Sequence, residues 1–324
     1  MTKYDTQTTA DIIVKDLATH IADKVVLTTG VSPGGLGAFF VEQISKGKPK
    51  LLILAGRSAE KLKITAEAVG KSGVATKIVE LDLTSFAHVK EAAAAVNASD
   101  VPAIDVLVNN AGVMATKWGK TADGHEMQLG TNHLGPFLFT NLILPKIMAS
   151  KDPRIVTVAS DGHRLSPFRF ADYDFHDGAN YDEWLAYGQS KTANMLMTLS
   201  LAQKLGPKGL TAISLHPGVI GTNLGGHIDW NKQFGDLQKV DRLMGNFEGW
   251  KEGFDFKTPE RGVSTHVYAS FSPELKSHNG AYVLDSHIAD PTNPEETVKA
   301  WATSAVEAEL LWKLSEKLTG EKFL

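Results

Sequence analysis

The sequence predicts an α/β fold, a single doubly wound parallel sheet of about seven strands with helices on both faces. Three observations predict it. Short β-rich runs alternate with stretches of helical periodicity from residue 24 to beyond residue 215. The runs lack polar alternation, Leu51-Leu52-Ile53-Leu54-Ala55 most plainly, as strands covered on both faces require. A glycine-rich turn joins the first strand to the helix that follows it.

The elements follow in order. Residues 8–21 read as a short helix that Thr8 or Thr9 could cap, with Ile13, Leu17 and Ile21 on one face. This leaves 1–23 as an N-terminal helical extension ahead of a single domain over 24–324. Lys24 to Thr29 is the first strand, and Leu36 to Ile44 an apolar helix. Leu51 to Ala55 is the second strand, followed by a polar helix over 59–69. Thr76 to Leu81, the Ala-rich helix 85–97 and the strand Ile104 to Val108 come next. A long helical region spans about 124–149, where Pro136 allows a kink. Arg154 to Ala159, the helix 183–205 and Thr211 to Leu215 complete the alternation. A late strand, Ala281 to Leu284, could close the sheet, and 296–318 reads as an amphipathic helix carrying Trp301, Leu310, Leu311 and Leu314. Residues 223–257 break the rhythm, with Gly, charge and Trp230, Phe234, Phe247, Trp250, Phe254 and Phe256. Unpatterned segments longer than ~12–15 residues are usually lids or disordered, and the aromatics argue for a lid. The same aromatics would also suit local core or a subunit contact.

Composition excludes several classes. The 324 residues are 43% hydrophobic and 22% charged, which excludes bulk disorder. A net charge of −4 offers no field for phosphate backbones, so nucleic acid is not an expected partner. Without cysteine there can be no disulfide, thiolate zinc site, iron–sulfur cluster or thiol nucleophile. The eleven histidines show no metal-ligand spacing, so no metal is expected. No segment approaches the ~20 apolar residues of a membrane helix. The polar N-terminus reads as no targeting signal, so the expected location is the cytoplasm.

The turn Thr29-Gly30-Val31-Ser32-Pro33-Gly34-Gly35-Leu36-Gly37 lies between a strand and a helix, the context of a Rossmann-type pyrophosphate site. Gly30, Ser32, Gly35, Leu36 and Gly37 are its candidate contacts. A plain tight turn, an S-adenosylmethionine site or a flavin site would share this pattern. The second strand helps to choose. It ends Ala55-Gly56-Arg57-Ser58, without the acid that holds the ribose 2′-hydroxyl of NAD. Arg57 can pair bidentately with a 2′-phosphate, which favours NADP(H), although it could also be a solvated helix-start residue.

Tyr187-Gly188-Gln189-Ser190-Lys191 lies in a helical pattern that puts Tyr187 and Lys191 on one face, and Ser160 closes the fifth strand. With Asp82, Asn109-Asn110-Ala111-Gly112, Asn132 and Pro217-Gly218 in order, the set resembles the short-chain dehydrogenase/reductase family over roughly 24–222. Thr131 to Phe137, Tyr187 to Asn194, His216 to Val219 and the long gap from Ser160 to Tyr187 resemble its retinol-dehydrogenase-like branch. The chain departs from that pattern where four residues separate Gly30 from Gly35 against the usual three, an insertion assigned to Pro33-Gly34. A counterpart of the membrane anchor of many retinoid enzymes is not expected.

The resemblance implies roles. Tyr187 would be the general acid for carbonyl reduction and the base in reverse. Lys191 would stabilise the tyrosinate and hold the nicotinamide ribose, Ser160 would donate to the substrate oxygen, and Asn132 would hold a water that resupplies protons. Asn132 could instead satisfy a helix kink near Pro136. Asp82 and Leu83 would contact adenine, although Asp82 could also cap the next helix. Asn109, Ala111 and Gly112 would line the adenosine ribose. Pro217, Gly218 and Val219 would meet the carboxamide, and Thr222 the carboxamide or phosphate. Pro217-Gly218 could also be a plain turn. His163, Arg164, Phe168 and Phe170 could edge the pocket, or Phe168 and Phe170 could bury another core edge. The helices over 124–149 and 183–205 are the family's usual dimer faces, so a homodimer is possible.

The expected activity is that of an NADPH-dependent carbonyl reductase or alcohol dehydrogenase acting on an apolar ketone, aldehyde or secondary alcohol. The rivals are a catalytically silent NADP(H)-sensing regulator, a methyltransferase of the same topology, and a sugar-nucleotide epimerase or dehydratase.

Overall fold

A computed structural model describes residues 3–247, 250, 253–290, 292–293, 296 and 298–324. Its strands are β1 Val25–Thr29, β2 Leu51–Gly56, β3 Ala75–Glu80, β4 Val106–Asn109, β5 Arg154–Val158, β6 Thr211–His216, β7 Val219–Ile220, β8 Phe256–Lys257, β9 Tyr282–Leu284 and β10 His287–Ile288. Its helices are α1 Ala10–Asp16, α2 Ala18–Ile21, α3 Leu36–Ser45, α4 Ala59–Gly70, α5 Phe86–Ala98, α6 Met127–Leu129, α7 Gly135–Leu142, α8 Leu144–Met148, α9 Glu183–Leu205, α10 Trp230–Leu243, α11 Pro259–Gly262, α12 Ser264–Phe271 and α13 Ala305–Thr319.

Eight strands form the main sheet in the order β10-β9-β6-β5-β4-β1-β2-β3. All pairs are parallel except β10 with β9. The strand beyond the expected seven is the two-residue β10, too short to leave a periodic signal. Alternate residues of the buried strands face opposite ways. Val26, Leu52, Leu54, Val108 and Val156 pack with Phe40 and Val267 on one face. Leu27, Ile53, Leu107 and Ile155 pack with Phe137, Leu201 and Trp312 on the other. That explains the missing polar alternation: both sides of each strand are core. A cavity-forming change such as Leu52→Ala would cost ~2–5 kcal/mol.

The N-terminal helical stretch splits at Leu17, and Thr9 stands at the N-cap without a capping hydrogen bond. Thr8 Oγ1 turns to Asp5 instead. Both helices join the core, since Ala10, Ile13, Val14 and Ile21 share a buried cluster with Phe40 and Tyr268. The helical region over 124–149 is not one kinked rod. It comprises α6, a π turn over Gly130–Leu134, α7 and α8. Pro136 and Pro145 carry no N–H, so an unbroken α-helix would leave the carbonyls of Asn132 and Asn141 without donors. Each proline therefore sits in the first turn of a new segment. Of the region 296–318, of which residue 297 lies outside the described residues, α13 begins only at Ala305, where Ser304 Oγ accepts from the Glu307 amide. The segment 223–257 has more order than its composition suggests: α10 spans fourteen of its residues, and β8 pairs with β7. Residues 248, 249, 251 and 252 of this segment lie outside the description.

Candidate active site

The carboxyl ends of the central strands open on a cavity of about 1040 Å³. Its floor is the glycine-rich turn. Gly30 takes a φ of +73°, and a Cβ there would stand 2.7 Å from Ala111 Cα, so the turn and the loop after β4 touch backbone to backbone. Thr29 Oγ1 accepts from the amides of Asn110 and Ala111. Asn110 Nδ2 donates back to the carbonyls of Thr29 and Gly30 at 2.9 and 3.2 Å. The inserted Pro33-Gly34 reaches the opposite rim, where Asn223 Nδ2 donates to Pro33 O at 3.1 Å. Gly34 turns there with a φ of +76°. Arg57 stands on the rim at the end of β2, and no acid follows that strand before the helix. Among the described residues no ion pair or hydrogen bond holds its guanidinium.

At the other end Ser160, Tyr187 and Lys191 meet. Ser160 follows β5, and its Oγ accepts from the Gly162 amide at 2.9 Å. Tyr187 and Lys191 lie one turn apart on α9, whose start is fixed by Asp182 Oδ1 accepting from the Trp184 and Leu185 amides. The Ser160 and Tyr187 side chains meet over Gly162, where an added Cβ would stand 2.6 Å from Tyr187 Cε1 and 3.2 Å from Ser160 Oγ, so this glycine makes room for the phenol. Lys191 Nζ lies 5.6 Å from the Tyr187 ring centroid and donates to Val158 O at 3.1 Å. Burial pushes the phenol up to about 12, with the nearby Ser160 hydroxyl opposing and Asp161 adding to the rise. Burial brings the Lys191 ammonium down to about 8.

Comparison with known proteins agrees with this geometry. Residues 24–174 match the short chain dehydrogenase family model. The chain is 34% identical to human retinol dehydrogenase 14, covering 92% of this chain and 86% of the relative. It is 35% identical to the short-chain dehydrogenase/reductase prx1 of Penicillium rubens, covering 97% and 91%. The chain belongs to the short-chain dehydrogenase/reductase family. It falls in the retinol-dehydrogenase-like branch. A crystal structure of an uncharacterized Mycobacterium paratuberculosis protein superposes with a TM-score of 0.69 at 30% identity, covering 94% of this chain and 96% of that one. A short chain dehydrogenase from Salmonella enterica shares the fold, with a TM-score of 0.60 at 19% identity over 82% of this chain and 97% of that one.

Members of this dehydrogenase/reductase family use a nicotinamide dinucleotide, and the residues present suit one. The close approach at Gly30 leaves backbone facing the cavity at the start of α3, as a pyrophosphate needs. Of the residues expected at the cofactor, the cavity is lined by Gly30, Ser32, Gly35, Leu36, Arg57, Asp82, Leu83, Ala111, Gly112, Tyr187, Lys191, Pro217, Gly218, Val219 and Thr222. Gly37, Asn109 and Asn132 stand behind that lining. A Cβ on Gly37 would lie 2.6 Å from both Asn110 Nδ2 and Gly30 O, so this glycine serves helix–loop packing. Asn109 ends β4 pointing inward, its Nδ2 donating to Thr140 Oγ1, and strand alternation gives Asn110 the cavity side. Asn132 clamps the Val113 backbone by donating to its carbonyl and accepting from its amide, and it also donates to Ser190 Oγ. Asp82 Oδ1 accepts from the Thr84 amide and hydroxyl, while Ser85 caps α5. Thr222 Oγ1 accepts from the Leu224 amide.

His163 and Arg164 do not edge the cavity of this family member. His163 Nδ1 pairs with Ser160 O at 2.8 Å. Arg164 is buried, with Nε 3.1 Å from Asp241 Oδ1 and Nη1 3.5 Å from Asp161 Oδ2. Asp161 is pushed up to about 6, chiefly by burial. Phe168 and Phe170 pack on each other and on Leu196, filling a core edge. Trp230, Trp250, Phe254 and Phe256 line the cavity, and Phe254 holds edge-on contacts with the other three. Phe247 is exposed. Sequence reading passed over Asn110, Trp184 and Asp241. The doubled asparagine was the one signal for the first, and helical spacing from Tyr187 was the signal for the second. Among the described residues no group of acids and histidines could hold a metal ion, and no helix is long and apolar enough to cross a membrane.

Proposed function

We propose that this oxidoreductase is an NADP(H)-dependent carbonyl reductase or alcohol dehydrogenase acting on apolar ketones, aldehydes or secondary alcohols. The convergence of Ser160, Tyr187 and Lys191 on one cavity with Arg57 at its far rim carries the reading. Ser160 Oγ–H donates to the substrate oxygen as negative charge grows there. Tyr187 Oη–H, kept protonated by its burial, hands its proton to that oxygen in reduction and takes one back in oxidation. Lys191 places positive charge beside the phenolate so formed, and a cation in a dry site stabilises it more than in water. A bound reduced nicotinamide would supply the hydride. Arg57 would pair with a 2′-phosphate, Gly30 to Leu36 would cradle the pyrophosphate, Asp82 and Leu83 would meet adenine, and Pro217 to Val219 with Thr222 would meet the carboxamide end. The segment 223–257 forms the lid, and its aromatic wall suits an apolar substrate, at ~25 cal/mol per Å² covered.

Following NADPH absorbance over a panel of ketones and aldehydes, with Tyr187→Phe beside it, tests this reading. A regulator would bind NADPH, turn nothing over and lose nothing with the substitution.

A further inference from the structure

The glycine-rich turn is one residue longer than the family's usual spacing, with four residues between Gly30 and Gly35. The extra length closes as a β-turn of its own, Ser32-Pro33-Gly34-Gly35, in which the Gly35 amide donates to Ser32 O at 3.1 Å. Proline in its second place and a glycine with a φ of +76° in its third are what a type II turn asks for. Both stiffen it, since Pro33 fixes its own φ and Gly34 takes a conformation that side chains resist. Behind it, Thr65 Oγ1 of α4 donates to Val31 O at 2.8 Å and ties the base of the turn to the fold. The turn is therefore a fixed post.

Opposite stands the segment that leaves β7. Thr222, Asn223 and Leu224 line the same cavity as Ser32 and Gly35, so the two stretches form facing banks of one groove. Asn223 Nδ2 crosses between them, donating to Pro33 O at 3.1 Å. Asn223 and Gly34 are both exposed, which puts this bond on the outer side of the groove and not in its floor. The Asn223 bank is the one with freedom to swing. The pairing of β7 with β8 ends at Ile220, Gly221 and Gly226 flank the bank, and a Cβ on Gly221 would meet nothing within 4 Å.

We propose that Asn223 is a positioning residue for the cofactor, its bond to the Pro33 carbonyl acting as a clasp across the pyrophosphate groove that opens each time the dinucleotide enters or leaves. The inference rests on the nicotinamide-dinucleotide reading in taking this groove as the place of the pyrophosphate. The amide and the carbonyl satisfy one another, so the bond needs nothing from the cofactor and closes over an empty groove and a filled one alike. A barrier of that kind slows entry and exit by the same factor and leaves the affinity unchanged. A direct contact to a phosphate would act differently, slowing exit and tightening binding.

The test is stopped-flow binding of NADPH, followed by quenching of the emission of Trp184, Trp230 and Trp250, which line the cavity. Should NADPH not bind, NADH takes its place, since it carries the same pyrophosphate. Asn223→Ala should raise the association and dissociation rates together, each about three- to tenfold, as loss of one hydrogen bond allows, with Kd unchanged. Asn223→Leu keeps the size and lacks the donor, and it should do the same, so a gap in the wall does not imitate the effect. Unchanged rates in both variants would overturn the inference. So would a rise in dissociation alone with Kd weakened by the same factor, which would make Asn223 a plain phosphate contact. Ketone turnover is scored separately. Rates that rise together without turnover would sustain the clasp and sink the reductase reading, and turnover with unchanged rates would do the reverse. Binding of neither dinucleotide would overturn both.

Discussion

Lys191 holds its ammonium 5.6 Å from the centre of the Tyr187 ring and donates it to the carbonyl of Val158, with no acid among the described residues paired with it. The pair is arranged for the charge that appears when Tyr187 gives up its proton, at a cost to the resting fold. Tyr187→Phe should lower kcat ~10²-fold or more, as loss of a general acid does. Near-normal turnover of the best ketone by that variant, measured at saturating NADPH, would remove Tyr187 from the chemistry.

The same lysine makes a stability prediction. Its folded value is about 8 against an ordinary 10.5. Between those values the unfolded chain binds a proton that the folded chain has released, so stability from this group rises with pH across the window and its full cost stands below pH 8. Lys191→Met should therefore be inactive yet more stable at pH 7, by up to an amount on the order of 3 kcal/mol. Asn194 Nδ2 still donates to Val158 O, which limits the loss of the hydrogen bond. Thermal unfolding at several pH values checks it: the gain should shrink as pH rises past 8, and a variant less stable at every pH would contradict it.

Cofactor choice turns on Arg57. With no acid after β2 and no partner for the guanidinium among the described residues, the rim favours a 2′-phosphate. Arg57→Ala should raise KM for NADPH about tenfold or more and leave KM for NADH nearly unchanged. A wild-type KM for NADH at or below that for NADPH would refute the assignment.

What the sequence made legible was whatever repeats or punctuates. The strand–helix alternation located β1 to β6 within a residue or two, and helix periodicity located α9 at its observed bounds. The glycine turn, Ser160 and the Tyr187–Lys191 spacing found the two ends of the cavity. The two-residue strands β7, β8 and β10 stayed hidden, because pairing rather than pattern creates them. Asn109 and Asn110 were indistinguishable until strand phase decided which faced the cavity. The join between Arg164 and Asp241 brings together residues 77 positions apart, and no local signal marks either as a partner.

That ion pair carries its own prediction. Asp241 of α10 is fully buried, held by Arg164, by Arg242 at 2.6 Å and by Asn246 at 2.8 Å. It fastens α10 to the turn after Ser160, and the Arg164 guanidinium also lies 5.1 Å from the Trp250 ring. Asp241→Asn removes one charge of a buried pair, which costs ~3–5 kcal/mol when the other charge stays. Chemical denaturation should show that loss, and proteolysis should begin within 244–257 before the rest of the chain. A variant as stable and as protease-resistant as the wild type would show that the docking of α10 does not depend on this pair.

The last prediction concerns assembly. The faces that dimerise in the family are the helical region over 124–149 and α9, and in this chain α13 lies over both. Trp312 and Phe323 pack edge-on to Phe137 of α7, with centroids 4.9 and 5.8 Å apart. Ser200 Oγ of α9 donates to Ala308 O at 2.9 Å, and His133 Nε2 meets Ser315 Oγ at 2.7 Å. Leu196 and Ala193 are buried against Ala308 and Leu311. A stable dimer needs ~800 Å² of free surface on each partner, and on these faces the chain's own C-terminal helix already fills the place. Light scattering should therefore give the mass of one 35.0 kDa chain. Removing residues 303–324 should expose Phe137, Leu196 and their neighbours and drive association or precipitation. A dimer mass for the intact chain, abolished by charged substitutions on α9, would show that α13 moves aside.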